Sequence, residues 1–400
     1  MSADVVRTVA WRARGGGTPS PARIAVVVGT RPEAIKLAPV ILELRRRSTA
    51  FDVRIIATSQ HRELLAQALA EFGLQADRDL DLMEPAQSLG RFAARGLEGM
   101  TAALVRERPD LVLVQGDTTT VVVAAMAAAY LGIPVGHVEA GLRSHDIANP
   151  FPEELNRKMA TAVATVHFAP TPRAQRNLLD EGVPADRVVM TGNTVVDAVH
   201  ALDLRGSLPP TLADLPGDET IVLTMHRREN HGAPLARVCE AVRRLVDERP
   251  ALRVVMPVHP NPEVGAVVRS ALGDVPAVRL IAPLPYRPML ALLSRSRLIL
   301  TDSGGIQEEA PSVGRPVLIL REVTERPEVV SSGAGQLVGT DADVIVRAVT
   351  ALLDDPVAWE RMASARNPFG DGRASGYIAD WLERYLLGRV VTPRSVPALA

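Results

Sequence analysis

Short runs rich in valine, isoleucine and leucine alternate with longer segments of helical periodicity through most of this chain. The runs cover residues 24–28, 53–56, 111–114, 135–138 and 188–191, and later 221–224, 252–256, 278–281, 298–300 and 317–320. Runs that are apolar at nearly every position are typical of parallel strands covered by helices on both faces. The pattern therefore predicts an α/β fold, with helices in segments such as 89–105 and 121–130.

A break in the alternation separates the two series of strands. Residues 204–217 are rich in proline, glycine and aspartate, which predicts a linker. We therefore expect two doubly wound, Rossmann-like domains, at 22–203 and 218–372, whose strand ends face each other across a cleft. The last amphipathic segment, 373–388, predicts a final helix.

Composition and charge favour a small or locally bound ligand. The formal net charge of −1 gives no general attraction to nucleic acid or an anionic membrane. No apolar run reaches the roughly 18–20 residues of a membrane span, and residues 1–21 lack the apolar segment of a secretory signal. The single Cys239 excludes an internal disulfide and a cysteine-based metal site, so we expect a cytoplasmic protein. Residues 1–21 and 389–400 are predicted to be disordered tails.

A glycine pair after one of the apolar runs predicts an anion site. The stretch LILTDSGGIQEE, at 298–309, reads as strand, tight turn and helix start, with Ser303, Gly304 and Gly305 in the turn. Glycine lets the backbone approach a ligand, and the first N–H groups of a helix have no internal partner. A phosphate is the expected ligand. The alternative is that Ser303 only caps the helix while the glycines form the turn.

Cations and carboxylates follow the apolar runs of the first domain. Arg31 and Lys36 lie near a predicted helix start, where they oppose the helix dipole unless an anion lies between them. A solvated basic face is the alternative reading. Asp117 follows the third run and is either a site residue or a helix cap. Glu139 directly continues the fourth run, where it is partly desolvated and has Arg143 or a ligand as its candidate partner.

Glu153 adds a third carboxylate at a helix start, after the segment NPFP at 149–152. It could be an ordinary acidic residue of a first turn, favoured by the helix dipole. However, three carboxylates beside a pyrophosphate site would repel the substrate unless some of them transfer protons. The set therefore favours general acid–base chemistry.

The second domain places basic side chains after its own strands. His226 follows the run 221–224 and begins HRREN, which suits contact with phosphate or sugar. His259, in HPNP, is more typical of a turn with a hydrogen-bonded imidazole. Zinc bound by His226, His259 and a carboxylate is an alternative, although the spacing matches no familiar metal pattern. Arg326 begins another predicted helix and is a candidate ligand of ribose or phosphate.

These motifs, taken together and in this order, resemble the non-hydrolysing UDP-N-acetylglucosamine 2-epimerases of bacteria. The resemblance runs from residue 24 to about residue 377. It rests on GTRPEAIK (29–36), GDTTT (116–120), GHVEAGLR (136–143), PFPEELNR (150–157), TGNTVVDA (191–198), HRREN (226–230), PVHPNP (257–262), LTDSGGIQEEAPSVG (300–314), TERPE (324–328) and NPFGDG (367–372).

The resemblance implies a GT-B-like fold whose final helix crosses back onto the first domain, and a homodimer. It implies interconversion of UDP-N-acetylglucosamine and UDP-N-acetylmannosamine, with a UDP-sugar as the partner and neither cofactor nor metal. The implied catalytic residues are Asp117, Glu139, Glu153 and His226. The implied substrate-binding residues are Arg31, Lys36, Arg143, His226, Met289, Ser303, Gly304, Gly305, Glu309 and Arg326.

Two departures from the family pattern limit what is carried over. Met289 stands where some relatives have an aromatic residue near the base-binding loop, which puts the stacking contact in question. Some relatives are activated by their own substrate at a second site near the stretch that here is 60–62. Gln60 matches that site, but Glu63 and Ala86 replace polar or basic contacts, so we do not expect this regulation.

The reaction explains why carboxylates and a phosphate site occur together. The hydrogen at C2 of the sugar is not beside a carbonyl, so elimination of UDP to a 2-acetamidoglucal, followed by re-addition, avoids a free carbanion. This route needs a base, an acid and a firm grip on UDP. The alternatives are another UDP-sugar 2-epimerase, such as one for a diacetamido uronate, a GT-B glycosyltransferase, and a non-catalytic sugar-nucleotide sensor. The three carboxylates favour an epimerase, because transfer chemistry does not require them.

Overall fold

The computed structural model describes residues 20–59, 62–84 and 87–388. They divide into two compact units: the first contains the described residues up to Ala198 and those from Gly370 on, and the second is Val199–Phe369. The predicted tails beyond this part of the chain, and Gln60 and Ala86 of the second-site comparison, lie outside the described residues. None of the described helices is both long and apolar enough to cross a membrane.

The first unit is built on a parallel sheet in the spatial order β3-β2-β1-β4-β5-β6-β7. Its strands are β1 (Ala22–Val28), β2 (Phe51–Ala57), β3 (Arg78–Asp79), β4 (Leu111–Gln115), β5 (Val135–Val138), β6 (Val166–Ala169) and β7 (Val188–Met190). Its helices are α1 (Arg31–Arg46), α2 (Arg62–Ala70), α3 (Leu89–Glu107), α4 (Thr119–Tyr130), α5 (Glu153–Val163), α6 (Pro172–Asp180) and α7 (Thr194–Ala201), within which the two units divide. Every residue of β4 is buried, as expected for a strand with helices on both faces.

The second unit repeats this architecture with a sheet in the order β10-β9-β8-β11-β12-β13. Its strands are β8 (Thr220–Thr224), β9 (Arg253–Pro257), β10 (Val278–Ile281), β11 (Leu298–Thr301), β12 (Val317–Ile319) and β13 (Gly335–Leu337). Its helices are α8 (Ala233–Glu248), α9 (Pro262–Leu272), α10 (Tyr286–Arg295), α11 (Gly304–Glu309), α12 (Pro327–Ser331), α13 (Ala342–Asp354) and α14 (Pro356–Ala363). The segment 204–217 belongs to this unit and forms a 3₁₀ turn at Pro210–Leu212.

The last helix, α15 (Ala374–Leu387), returns to the first unit and packs against α1. Arg47, at the end of α1, forms ion pairs with Asp380 at 2.7 Å and Glu383 at 3.2 Å. The Trp381 ring meets Phe168 of β6 edge to face, with 5.7 Å between centroids. The predicted fold class, two doubly wound sheets with a final helix on the first domain, is confirmed.

Both sheets reverse their strand order at one place, and the reversal positions the site. In the first unit it falls between the adjacent strands β1 and β4, and in the second between β8 and β11. In doubly wound sheets the helices diverge from such a point, and a crevice opens at the carboxyl ends of the strands. The chain segments that follow these four strands are therefore the first place to look for a ligand site.

Candidate active site

Glu139 lies at the carboxyl end of β5 and is only 7% exposed. Lys36 donates hydrogen bonds to both oxygens of its carboxylate, each at 2.8 Å. The side-chain amide of Gln115, the last residue of β4, donates to the same carboxylate. The backbone of Glu139 is left-handed, with φ of +61°, a conformation that costs a non-glycine residue roughly 1–2 kcal/mol. A buried, paired carboxylate on strained backbone is typical of a functional position.

Lys36, and not Arg143, is the cation beside Glu139, so the predicted Glu139–Arg143 partnership is wrong. Arg143 instead forms a bidentate pair with Glu181 at 2.8 Å and also donates to Thr161. Its side chain is completely buried. These bonds use the guanidinium without leaving it open to solvent, so the structure does not support Arg143 as a substrate ligand.

Asp117 lies in the turn after β4, beside α5. Its carboxylate accepts hydrogen bonds from Arg157 at 2.9 Å from Nε and 2.7 Å from Nη2. The reading of Asp117 as a helix cap is wrong, because the N-cap position of α4 is Thr118 and the Asp117 carboxylate binds Arg157. Asp117 keeps 27% of its side chain exposed, so the carboxylate is both held by a cation and accessible.

Glu153 and Glu154 begin α5 but have different surroundings. Glu153 is half-buried, and among the described residues its carboxylate has no hydrogen-bond or ion-pair partner. Glu154 is completely buried and accepts from Arg157 at 2.9 Å and from the Ser144 amide at 3.0 Å. Burial alone would raise the pKa of Glu154, but these bonds lower it below its ordinary value. Of this pair, only Glu153 is free to meet a ligand.

Glu33 carries a buried carboxyl group and was not predicted from the sequence as a site residue. It accepts hydrogen bonds from the Gly29 and Thr30 amides at 2.6 and 2.7 Å and from the Thr118 hydroxyl. Burial raises its pKa to about 7 despite these bonds. The carboxyl group joins the turn after β1 to the turn after β4. Arg31, in the first turn of α1, is exposed and has no hydrogen-bond or ion-pair partner among the described residues.

Two histidines lie side by side beneath this edge of the sheet. His137 of β5 and His167 of β6 are paired in register, and each is 1% exposed. The Nε2 of His137 lies 2.8 Å from the Gly116 carbonyl oxygen, so the turn that carries Asp117 is also held from below. Burial lowers the pKa of both imidazoles to about 4, so both are neutral near pH 7.

The second unit places His226 after β8, beside Asp302 at the end of β11. The Nδ1 of His226 lies 2.9 Å from the Asp302 carboxylate, which also accepts from the His226 and Arg227 amides and from the Asn230 side chain. Asp302 is completely buried; burial would raise its pKa, but the bonds from His226 and Asn230 lower it. With Nδ1 directed at the carboxylate, Nε2 is the nitrogen available to a ligand on a side chain that is 43% exposed.

The predicted phosphate turn has the local structure expected from its sequence. Ser303 caps α11, and its side chain accepts from the Ile306 amide at 3.4 Å. A β-carbon added to Gly304 would lie 3.1 Å from the guanidinium carbon of Arg326, so the turn and Arg326 are in close contact. Arg326 also donates to the buried Glu308 at 2.8 Å. The helix cap and the anion site are compatible, because both follow from the same helix start.

Two further predicted residues lie on neighbouring elements of the second unit. Glu309 is the half-buried last residue of α11, and Met289 is half-buried in the first turn of α10. Neither position reveals by itself whether the residue touches a ligand, so both remain predictions.

The described residues do not support the zinc alternative. Among them, no group of three or more His, Cys, Asp or Glu side chains could hold a metal ion. The Nδ1 of His259 accepts a hydrogen bond from the Asn261 amide at 3.2 Å. The interpretation of His259 as part of a hydrogen-bonded turn is therefore confirmed.

Several residues of the site were missed in the sequence analysis because only the fold brings them beside the predicted residues. Gln115, Arg157 and Asp302 hold the predicted residues, and Glu33 holds the turns that carry them. The sequence contained one usable hint: Asp302 closely follows an apolar run, as Asp117 and Glu139 do. Buried carboxylates at strand ends need partners, and an aspartate in that position is a candidate for orienting a nearby histidine.

Fold and site together define an α/β protein of the GT-B-like class. Residues 43–383 match the family model described as UDP-N-acetylglucosamine 2-epimerase. The UDP-N-acetylglucosamine 2-epimerase of Yersinia pestis is 46% identical over 372 residues, which cover 91% of this chain and 99% of that protein. The chain therefore belongs to the UDP-N-acetylglucosamine 2-epimerase family, a family of isomerases.

Solved structures agree with this assignment. The crystal structure of UDP-GlcNAc 2-epimerase from Neisseria meningitidis bound to UDP-GlcNAc matches with a TM-score of 0.82 and 44% identity, over 90% of this chain and 99% of that one. A structure of MnaA from S. aureus with UDP matches with a TM-score of 0.84 and 41% identity, over 94% of this chain and 99% of that one.

Proposed function

We propose that this protein interconverts UDP-N-acetylglucosamine and UDP-N-acetylmannosamine by eliminating UDP and adding it back with inversion at C2. The observation that carries the proposal is the set of three carboxylates in the first unit, each in a different environment. Lys36 and Gln115 hold Glu139, Arg157 holds Asp117, and Glu153 has no partner among the described residues. Family membership and the relative bound to UDP-GlcNAc support the choice of substrate.

The chemistry assigns different tasks to the two units. In the first, Asp117, Glu139 and Glu153 supply the base that removes the C2 proton and the acid that returns one to the opposite face. Inversion requires at least two such groups, because one carboxyl group cannot reach both faces of the same carbon. The intermediate is the neutral 2-acetamidoglucal, so no carbanion has to be stabilised.

The second unit holds the departing UDP in this proposal. The turn at Ser303–Gly305 offers backbone amides at a helix start, Arg326 supplies side-chain donors for the pyrophosphate, and His226 offers its Nε2 to the leaving group. Glu309 and Met289 are the candidates for contact with the nucleoside, and Arg31 and Lys36 are further candidates for binding the substrate. Lys36 also binds Glu139, so it holds one of the proposed catalytic carboxylates in place.

The test is the fate of the C2 hydrogen. In deuterium oxide, the protein and UDP-N-acetylglucosamine, without added cofactor, should give UDP-N-acetylmannosamine that carries deuterium at C2. Traces of 2-acetamidoglucal and free UDP should accompany it, and proton NMR reports all three. Product that keeps protium at C2 would exclude the proposed exchange through solvent-accessible carboxylates. Absence of any product would favour a related UDP-sugar, such as a diacetamido uronate.

Single substitutions test the role proposed for each residue. Asp117→Asn, Glu139→Gln and Glu153→Gln preserve shape and remove basicity, so each should lower kcat by on the order of 10²–10⁴-fold while UDP still binds. Gly304→Val should weaken UDP binding instead, because its side chain would displace Arg326 and fill the turn. Calorimetry with UDP and steady-state kinetics separate the two effects. Wild-type rates in all three carboxylate variants would refute the catalytic assignment.

We also propose that the protein is a homodimer, as the resemblance implies. The first unit exposes apolar side chains on the helices that flank its sheet, including Leu89, Val105 and Tyr130. Light scattering at several protein concentrations tests the proposal, and a constant monomer mass would refute it.

A further inference from the structure

Helix α5 holds Asp117 at two points. Asn156 donates to the main-chain carbonyl of Asp117 at 2.8 Å, and Arg157 donates twice to its carboxylate. Asn156 and Arg157 are only 5% and 8% exposed, so neither is a solvent-facing side chain that meets Asp117 by chance. The orientation of Asp117 is therefore set from α5.

The same guanidinium binds a second carboxylate. Nη1 of Arg157 donates to Glu154 at 2.9 Å, and Glu154 in turn accepts from the Ser144 and His145 amides. Arg157 thus joins the turn after β4, the first turn of α5 and the segment that precedes α5. The residue beside Glu154 is Glu153, the proposed catalytic carboxylate that has no partner of its own among the described residues.

We propose that Arg157 is a positioning residue for proton transfer, which fixes Asp117 and the Glu153 end of α5 relative to each other. This inference rests on the proposed function. Two carboxyl groups that act on the same carbon must keep a fixed separation. The planar guanidinium of Arg157 binds Asp117 and also Glu154, the neighbour of Glu153, and so fixes the distance between the two. Without Arg157, Asp117 is free to rotate, and Glu154 loses the cation that compensates its burial.

A structural role alone would also make Arg157 important, since its loss leaves the buried Glu154 without its cation. The two roles differ in what they change. Loss of a structural pair lowers the unfolding temperature and leaves the turnover of the folded protein unchanged. Loss of a positioning residue lowers kcat with little change in KM, while binding of UDP persists.

The experiment compares Arg157→Gln and Arg157→Lys with Arg47→Gln. Arg47 is a matched control: its side chain is 13% exposed against 10% for Arg157, and it also binds several carboxylates, those of Glu43, Asp380 and Glu383. It lies at the end of α1, remote from the carboxyl edge where α1 begins. Unfolding temperature, calorimetric UDP affinity, kcat and KM are measured for each variant.

Arg157→Gln should lower kcat by on the order of 10²-fold with little change in KM, as expected when reacting groups are misplaced by about 1 Å. UDP affinity should stay at the wild-type value, because Arg157 lies in the first unit. Arg157→Lys keeps the charge but not the planar guanidinium, so it should lose less turnover than Arg157→Gln. Arg47→Gln should lower the unfolding temperature without changing kcat.

The outcomes separate the two proposals. An inactive wild type would overturn the proposed function, and the inference with it. An active wild type with unchanged kcat in Arg157→Gln would overturn the inference alone. So would equal losses of kcat in Arg157→Gln and Arg47→Gln. If Arg157→Gln does not fold, Arg157→Lys is the variant that tests the inference. A wild-type kcat in that variant would show that the planar guanidinium is not needed for turnover.

Discussion

The two buried histidines of the first unit should make it sensitive to mild acid. Burial lowers the pKa of His137 and His167 to about 4 from an ordinary 6.5. As the pH falls through 6.5, the unfolded chain binds a proton at each histidine, but the folded unit does not until the pH nears 4. The stability that these groups contribute is therefore complete above pH 6.5 and is lost progressively between pH 6.5 and 4.

The size of the lost stability follows from the difference between the histidine pKa in the unfolded chain and in the folded unit. A difference of about 2.5 pKa units corresponds to about 3 kcal/mol of unfolding free energy for one histidine over the whole window. Near pH 5.5, where the unfolded histidine is mostly protonated, the slope is about 1.2 kcal/mol per pH unit. The two contributions do not simply add, because His137 is among the charges that lower the pKa of His167.

Glu33 acts in the opposite direction. Its pKa is raised to about 7, so the folded unit binds that proton before the unfolded chain does, and the unit gains stability as the pH falls from 7 towards 4.5. Wild-type protein alone therefore gives a mixed result. The informative quantity is the difference between a histidine variant and the wild type at each pH, in which Glu33 cancels.

The assay is amide hydrogen exchange of peptides that cover β5 and β6, measured from pH 5 to 7. His137→Gln keeps a side-chain donor for the Gly116 carbonyl and cannot titrate, so the opening free energy should depend less on pH, by about one proton. His167→Gln should behave in the same way, and the exposed His200→Gln serves as the control that keeps the wild-type slope. Equal slopes for wild type, His137→Gln and His167→Gln would refute the argument.

Two further predictions concern single positions. Gly141→Ala should destabilise the first unit by about 3 kcal/mol or more in urea unfolding, because its β-carbon would lie 2.2 Å from the Ala174 carbonyl oxygen at φ of +92°. Gly73→Ala, also left-handed but with open space around it, should cost only about 1 kcal/mol; equal costs would contradict the steric argument. Asp302→Asn should lower kcat by on the order of 10²-fold by removing the charge that orients His226, and unchanged steady-state kinetics would show that this orientation does not matter.

Periodicity predicted the two sheets because it depends on neighbours in the chain. The strands that it missed, β3, β6 and β13, are short or interrupted: β3 has two residues, β6 contains His167, and β13 is a Gly-Gln-Leu segment. Each is defined by pairing with a neighbouring strand, which no local pattern reveals.

The partners of the site residues could be predicted from local sequence even less than the short strands. The carboxylates could be located because they end strands or begin helices, but their partners could not. Glu139 was expected to pair with Arg143, four residues away, or with a ligand, whereas its partner Lys36 is separated from it by 103 positions. Such a pair exists only after α1 and β5 are placed on one sheet. Position in the sequence therefore predicted the candidate carboxylates, and the tertiary fold determines the charges around them.

The return of α15 to the first unit has a consequence for how the protein is made. The second unit is one continuous stretch of chain, whereas the first needs residues from both sides of it. At about 5–20 residues per second, a ribosome takes on the order of 10–40 s to proceed from residue 198 to residue 387. During that interval the nascent first unit has no Trp381 to cover Phe168 and no Asp380 to pair with Arg47. The unit that emerges first is therefore the last to be completed, with apolar surface on α1 and β6 that chaperones can bind until synthesis is nearly over.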